Sequence, residues 1–477
     1  MIQRARSWIV CGIVATLASA CASRGPVYER PAIVTPAAWD APAPFRASAP
    51  QDSLPKGQWW TVFGDEQLDA LEQQAATANQ SIKVAAARYE QARALTREAL
   101  SARYPQVAAS GQVLTQRLSG TRAGATEATT QSAFTLPVSV SYEVDLFGRR
   151  LKSIEAAETT LQASAADLEN VKLIIAADLA TNYFTLRRLD SELDLLGRAV
   201  DVLQRALDVV RNRFTGGIAS GLDVAQEETL LASTRTQATL VRQQREQFEH
   251  AIAVLVGQPA PGFDLPSRPL TDVPPAVRAG VPTDLLERRP DIAEAERQVA
   301  AANARLGVAH SAFFPSLNLL GSGGWESGNL AKIFDVPSLI WAVGATIAQD
   351  VFTGGARQAR VDFAVADVEA AAASYRDTVL RAMAEVQDAL SGLDVLNDAA
   401  TTQAQAVAAA NRALQIANNR YVGGLASSLD LVSAQQTLLD NQRLAVQLDG
   451  DRLVATVSLI KALGGGWDAS SLASAKP

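Results

Sequence analysis

Imidazole and thiol chemistry is nearly absent from this chain: His250 and His310 are its two histidines, Cys11 and Cys21 its two cysteines. No glycine-rich phosphate loop follows a strand-like segment and no His-Glu-x-x-His pattern occurs, so a metal centre or an activated nucleophile has almost no material. No cofactor and no enzymatic activity are expected. Charge of one sign is lacking too. The 43 basic and 50 acidic residues are interspersed, for a net charge of −7, without the basic patch that nucleic acid requires or the acidic tail of a solvating arm. Beyond the N-terminus no stretch of about 18 uninterrupted apolar residues qualifies as a transmembrane helix, so a membrane crossing would have to use strands. Proline is missing from 138–258 and from 338–476, gaps too long for loop-rich structure.

The N-terminus does carry an apolar run. Arg4 and Arg6 precede Trp8 to about Leu17, and Ala18-Ser19-Ala20 precede Cys21, which is the order of an export signal. Residues 1–20 are assigned to it. Its removal would leave Cys21 as the sole cysteine and exclude an intramolecular disulfide. A cysteine after a small-residue cleavage site resembles the lipobox of bacterial lipoproteins, although Ala18 stands where a large aliphatic residue is usual. Cys21 is the expected lipidation position, and Ala22 in place of Asp points to the outer membrane. The alternative is an ordinary signal peptide with an incidental cysteine. Residues 21–58, with seven prolines from Pro26 to Pro55, have the composition of an extended linker that tethers without folding.

Beyond the linker the chain repeats itself. Arg213-Phe214-Thr215-Gly216-Gly217-Ile218-Ala219-Ser220-Gly221-Leu222-Asp223 returns as Arg420-Tyr421-Val422-Gly423-Gly424-Leu425-Ala426-Ser427-Ser428-Leu429-Asp430, an offset of 207. Asp145-Leu146-Phe147 returns as Asp350-Val351-Phe352, and Ile82, Ala85, Ala92, Ala99 and Pro105 correspond to Ile292, Ala295, Ala302, Ala309 and Pro315. Two units follow, 59–262 and 263–467, with a tail at 468–477.

Each unit has the same order of signals. Gln67 to Arg103 lacks proline and glycine and predicts one long helix ending before Pro105. At Phe134 to Val144 the period becomes two: Phe134, Leu136, Val138, Val140, Tyr142 and Val144 alternate with polar residues, as in a strand with one apolar face. Its expected partner is Val107 to Leu118; the second unit offers Leu317 to Ser322 and Ile340 to Gln349, so each chain supplies four strands. Arg150 to about Phe214 predicts a helix roughly 100 Å long. A Gly-Gly turn and a Ser-x-x-Asp box (Ser220 to Asp223, Ser427 to Asp430) then start the return helices.

Four strands cannot close a membrane barrel, and open edges in lipid are costly, so chains must pool strands. Two copies would give 8 and three 12; periodicity does not choose. The long helices would continue such a barrel as a tube, making a conduit.

Trp59-Trp60-x-x-Phe63-x-Asp65-x-x-Leu68, Leu286-Glu287-Arg288-Arg289-Pro290-Asp291-Ile292, Phe313-Phe314-Pro315, Asp145-Leu146-Phe147-Gly148-Arg149 and Ala462-Leu463-Gly464-Gly465-Gly466-Trp467 together resemble the outer membrane factor family, the TolC-like channels, and within it the NodT-type efflux lipoproteins. The resemblance implies a mainly α, mixed α+β fold: a homotrimer with a 12-stranded transmembrane barrel, four strands per chain, and a long periplasmic coiled-coil tunnel. It also implies a periplasmic adaptor and an inner-membrane pump of the resistance-nodulation-division class as partners. The expected role is export of small solutes across periplasm and outer membrane. A protein-secretion exit duct and a structural coiled-coil lipoprotein are the alternatives; the amphipathic strand argues against the second.

By the same resemblance Leu222, Asp223, Leu429 and Asp430 lie near the tunnel's periplasmic end, as a gate or pore constriction. Helix capping explains both aspartates without a pore role. Related channels carry an acidic residue one turn after the leucine, where this chain has Ser433. Gly216, Gly217, Gly423 and Gly424 belong to turns that resemble adaptor-contacting tips, with a plain turn as the alternative. Arg288-Arg289-Pro290-Asp291 is ordinary helix initiation.

Overall fold

The computed structural model describes residues 27–33, 35, 36, 39, 57–124, 127–271, 274, 275 and 288–467. Cys21, the export segment and the tail 468–477 lie outside the described residues.

After a 3-10 turn at Trp59–Phe63, the first repeat runs α1 (Glu66–Ala78), α2 (Gln80–Ser101), β1 (Gln106–Ala109), β2 (Gln112–Leu118), β3 (Thr129–Val144), α3 (Arg149–Thr215) and α4 (Gly221–Leu255). The second runs α5 (Pro290–Ser311), β4 (Ser316–Ser327), β5 (Leu339–Ala348), α6 (Ala356–Val422) and α7 (Ser428–Ala462). The duplication is metrical: α3 and α6 have 67 residues each, α4 and α7 35 each, α2 and α5 22 each. The glycine after each return helix meets the first-helix region of its own repeat in the same way. A Cβ on Gly257 would sit 2.6 Å from the Ala78 carbonyl oxygen, and one on Gly464 2.0 Å from that of Arg288.

Three expectations need correction. The single helix over 67–103 is two helices, because Asn79 adopts φ −60°, ψ 130° and caps α2, accepting from the Ser81 and Ile82 N–H groups while its amide donates to the Leu255 carbonyl at 2.8 Å. The strand expected at 107–118 is broken at Ser110-Gly111, opposite Leu136-Pro137. Pro137 has no N–H to donate, and only Ser110 N–H to Pro137 O, at 3.1 Å, spans the gap. Residues 27–39 also do more than tether where they are described. Trp39 is buried in the main core, Tyr28 and Ile33 pack against it, the Tyr28 hydroxyl donates to Glu296, and Arg30 Nε donates to the Tyr375 hydroxyl at 3.1 Å.

One antiparallel sheet forms in the order β1/β2-β3-β4-β5, giving four lanes, with the edges of β1/β2 and β5 unpaired among the described residues. The main core lies far from it along the helices, where Tyr183, Phe184, Leu186, Tyr375, Val379 and Leu453 meet α1 and the Trp59–Phe63 turn. No helix among the described residues is long and apolar enough to cross a membrane.

Candidate functional site

The sheet is where the sequence's period-two pattern becomes a surface. Val140 stands opposite Val107 and Gly321, and Gly321 opposite Val343; Leu136 pairs with Trp325, Tyr142 with Leu319, Val144 with Leu317. Directly opposed residues share a face, so the apolar row of β3 joins Val107, Val113, Leu317, Leu319, Trp325, Leu339, Trp341, Val343 and Ile347. The other face carries Thr135, Ser139, Ser141, Glu143, Asn318, Ser322 and Thr346. Among the described residues the apolar face is covered only locally, where Phe334 packs edge-on against Trp325 at 5.6 Å; Trp341, Val343 and Ile347 are 72–82% exposed. A sheet with one bare apolar face, one polar face and two open edges is a segment of a transmembrane barrel wall.

Where sheet passes into helix, the backbone turns sharply. Gly148 takes the left-handed conformation at φ +76° and the Asp145 carboxylate accepts the Leu151 N–H at 2.8 Å, capping α3. Arg149 and Arg150 pair with Glu143, and Phe147 stacks on Phe314 at 4.8 Å, tying the two repeats together at this level. From here α3 and α6 run about 100 Å to two tips.

Each tip is a glycine turn followed by a capping box. At the first, Ser220 Oγ accepts the Asp223 N–H at 3.2 Å and Asp223 Oδ2 accepts the Ser220 N–H at 2.7 Å; at the second the corresponding distances, Ser427 to Asp430, are 3.3 and 3.0 Å. Gly217 and Gly424 hold φ near +70°, which L side chains rarely adopt. The backbone hydrogen bonds to Ser220 hold Asp223 below the usual carboxylate range, and the Ser427 hydroxyl and N–H do the same for Asp430. Leu222 and Leu429 are exposed, as are Ile218 and Leu425 in the turns. Both aspartates therefore serve as caps, while the leucines beside them are bare within one chain. The tips are not identical: Ser428 is buried and donates to Gln226 at 2.8 Å, whereas its counterpart Gly221 is exposed.

Sequence reading missed two buried polar networks that fasten the inter-repeat connector. Asp190 accepts from Arg187 Nη1 and Arg245 Nε, both at 2.7 Å, and from Ser267 Oγ and the Arg268 N–H, both at 3.0 Å. Asp65 caps α1 and accepts the Tyr183 hydroxyl at 2.6 Å and Arg268. Burial raises the Asp65 pKa, but Tyr183, the Leu68 N–H and Arg268 outweigh it and hold the carboxyl below its usual range. The available signal was Asp190 itself, a charge set among Leu186, Leu189 and Leu193 on the apolar face of a helix.

Fold and surfaces define a channel protomer whose sheet lies in a membrane and whose helices extend the passage away from it. Comparison with known proteins agrees. The model of the outer membrane efflux protein family matches twice, over residues 71–258 and 281–465, and the chain belongs to that family. It is 33% identical to the pyoverdine export outer membrane protein OpmQ of Pseudomonas aeruginosa, covering 95% of this chain and 96% of the relative. It is 32% identical to the toluene efflux pump outer membrane protein TtgF of Pseudomonas putida, over 93% and 94%. Among solved structures, the outer-membrane channel OprN superimposes with a TM-score of 0.86 at 30% identity, covering 93% of this chain and 99% of that one. The open-state channel MtrE of Neisseria gonorrhoeae gives 0.82 at 28%, over 93% and 98%. The protein is thus an outer-membrane efflux channel component, and the efflux reading of the sequence stands.

Proposed function

We propose that three copies of this chain form a continuous duct through the outer membrane and into the periplasm, through which an inner-membrane pump of the resistance-nodulation-division class, joined by a periplasmic adaptor, expels small solutes. One observation carries the assembly. Within the chain, α3 is covered by α5 and α7, and Ala166, Ala177 and Phe184 are buried; at the equivalent positions of α6, Ala373, Ala384 and Ser391 are exposed, with Leu380 at 59%. The duplicated unit covers one of two equivalent stripes and leaves the other bare, together with the matching outer faces of α2 and α4. A neighbouring copy supplies the missing cover, in a head-to-tail contact that closes as a ring.

Four lanes per chain give eight for two copies and twelve for three. An eight-stranded barrel has an interior filled by its own side chains, so a passage needs the larger number. Inside the protomer Arg297 Nη1 meets Gln162 Oε1 at 3.2 Å; the repeat offsets place Ala87 of one copy opposite Glu369 of the next. Ala87→Cys with Glu369→Cys should therefore yield a covalent trimer with a bifunctional maleimide long enough to replace the Arg–Gln side-chain pair, while each single variant stays monomeric in denaturing gels. Monomer alone from the double variant would sink the assembly.

The solute follows from what the pump delivers: relatives named for pyoverdine and for toluene differ in the compound named yet align with this chain over nearly their whole length. The adaptor is assigned to the tips, at Gly216, Gly217, Gly423 and Gly424 with Ile218 and Leu425, and the closure of the tube to Leu222 and Leu429. Lipid at Cys21 has metrical support. Tyr28 is held on Glu296, fifteen residues from the end of α5 and so about 22 Å below the sheet. The seven residues from Cys21 to Tyr28 span up to about 25 Å, enough to bring Cys21 to the membrane. Cys21→Ser should abolish palmitate labelling; unchanged labelling would remove the anchor.

A further inference from the structure

Glu227 lies on α4 about two turns inside the first tip and is fully enclosed, at 0% exposure. Neither of its carboxyl oxygens has a hydrogen-bond partner among the described residues. Helical spacing puts Val224, Glu227, Leu230, Leu231 and Thr234 on one face, and that face meets Leu203 and Leu207 of α3 and Val432 of α7 in a small apolar cluster. The seam therefore holds a carboxyl without a hydrogen bond on the same helix face as Leu230 and Leu231, and the other polar group of that face is engaged, since Thr234 Oγ1 donates to the Leu230 carbonyl. Charged groups on the surrounding helices are otherwise engaged or solvated. Arg211 of α3 pairs with Glu228 at 2.7 Å, Asp208 accepts Gln204 Nε2 at 3.0 Å, and Arg205 is exposed. Asp223 of α4 and Asp430 of α7 act as caps. No charged residue occurs from Leu431 to Leu439 of α7. Nor does the hairpin architecture require the group, because the equivalent residue of the second repeat is Ala434.

We propose that Glu227 is a proton-controlled latch: neutral, it stays packed in the α3–α4–α7 seam and keeps the tip closed; ionised, it draws water into the seam and loosens α4 from its neighbours. The opening clause rests on the tip being the closed end of the channel, whereas the loosening does not. Burial raises the Glu227 pKa above its ordinary value of 4.5. The packed tip then binds the proton more tightly than the loosened one. Its stability is complete below the ordinary carboxylate pKa, falls as pH rises from there to the raised value, and is constant above it. Within that window one proton is at stake, so the packed-to-loosened ratio changes by up to about tenfold per pH unit. Asp223 and Asp430, both held low, titrate beneath it.

The test is amide hydrogen exchange of the purified full-length protein in detergent from pH 4.5 to 8, corrected for intrinsic exchange, with single-channel conductance in planar bilayers over the same range. Protection of 221–235 should fall up to tenfold per pH unit in the wild type, and open probability should rise alongside. Glu227→Gln keeps the shape and should make both independent of pH; Glu227→Ala, the residue of the second repeat, should do the same if the Gln variant assembles poorly. Equal pH dependence in the wild type and both variants, or flat protection in the wild type, would overturn the latch. pH-dependent protection with constant conductance would keep the latch and overturn the tip as the closed end.

Discussion

Replacing Asp190 by Ala removes the acceptor for four donors at once and leaves Arg187, whose side chain is 0% exposed, without a counter-charge. Arg187 keeps the Pro266 carbonyl at 2.8 Å, Gln67 Oε1 at 2.7 Å and the Tyr183 ring 4.8 Å from its guanidinium carbon, none of which carries charge. Removing one partner of a buried ion pair typically costs about 3–5 kcal/mol. Two further donors, Ser267 Oγ and the Arg268 N–H, each lose a bond worth about 1 kcal/mol, but Arg245 retains Glu249 at 3.0 Å. The expected loss is therefore roughly 5–7 kcal/mol, nearer the lower figure if water enters beside Ser267. Urea unfolding of the detergent-solubilised protein, followed by tryptophan fluorescence, measures it, and limited proteolysis should show 263–271 cleaved first. Asp190→Asn keeps the shape without the charge and should lie between the wild type and Ala. A loss under about 1 kcal/mol for Ala would refute the view that this carboxylate fastens the connector.

Other perturbations test other parts of the molecule. Val140→Arg should destabilise the inserted protein by about 2–4 kcal/mol if Val140 lies near the bilayer midplane, whereas Ser139→Arg should be tolerated; the reverse pattern in urea titrations from lipid vesicles would exchange the two faces. Leu429→Ala should raise single-channel conductance, while Asp430→Asn, a cap exchanged for a cap, should leave ion selectivity unchanged; unchanged conductance in Leu429→Ala would take the constriction away from this turn, and a lost cation preference in Asp430→Asn would give its carboxylate a pore role. Gly464→Ala places a Cβ against the Arg288 carbonyl at φ +89° and should lower the melting temperature, while Gly197→Ala, with open space around it, should raise it slightly. Asp65 contributes stability above its unfolded pKa that disappears as pH falls through its depressed folded value, so Asp65→Asn should flatten the acid limb of the stability profile below about pH 4.

Much of this architecture is legible without coordinates because it follows from local rules. Repetition fixes equal helix lengths, the absence of proline permits helices of 67 residues, and the Gly-Gly and Ser-x-x-Asp pairs place the turns with their capping boxes. The period-two run from Phe134 to Val144 announces a strand with one apolar face. What only the tertiary structure decided depends on partners distant in sequence. Asn79 breaks a run of good helix formers because its amide reaches Leu255, and Pro137 interrupts the neighbouring lane across the sheet. Tyr28 and Trp39 turn a proline-rich tether into a strap by finding Glu296 and the core. Asp190 becomes a hub only when 263–271 folds over it. Glu227 looks like one more surface glutamate until α3 and α7 close around it. Burial is the property responsible: a side chain's spacing is written in its own helix, but its solvent is removed by segments tens to hundreds of residues away.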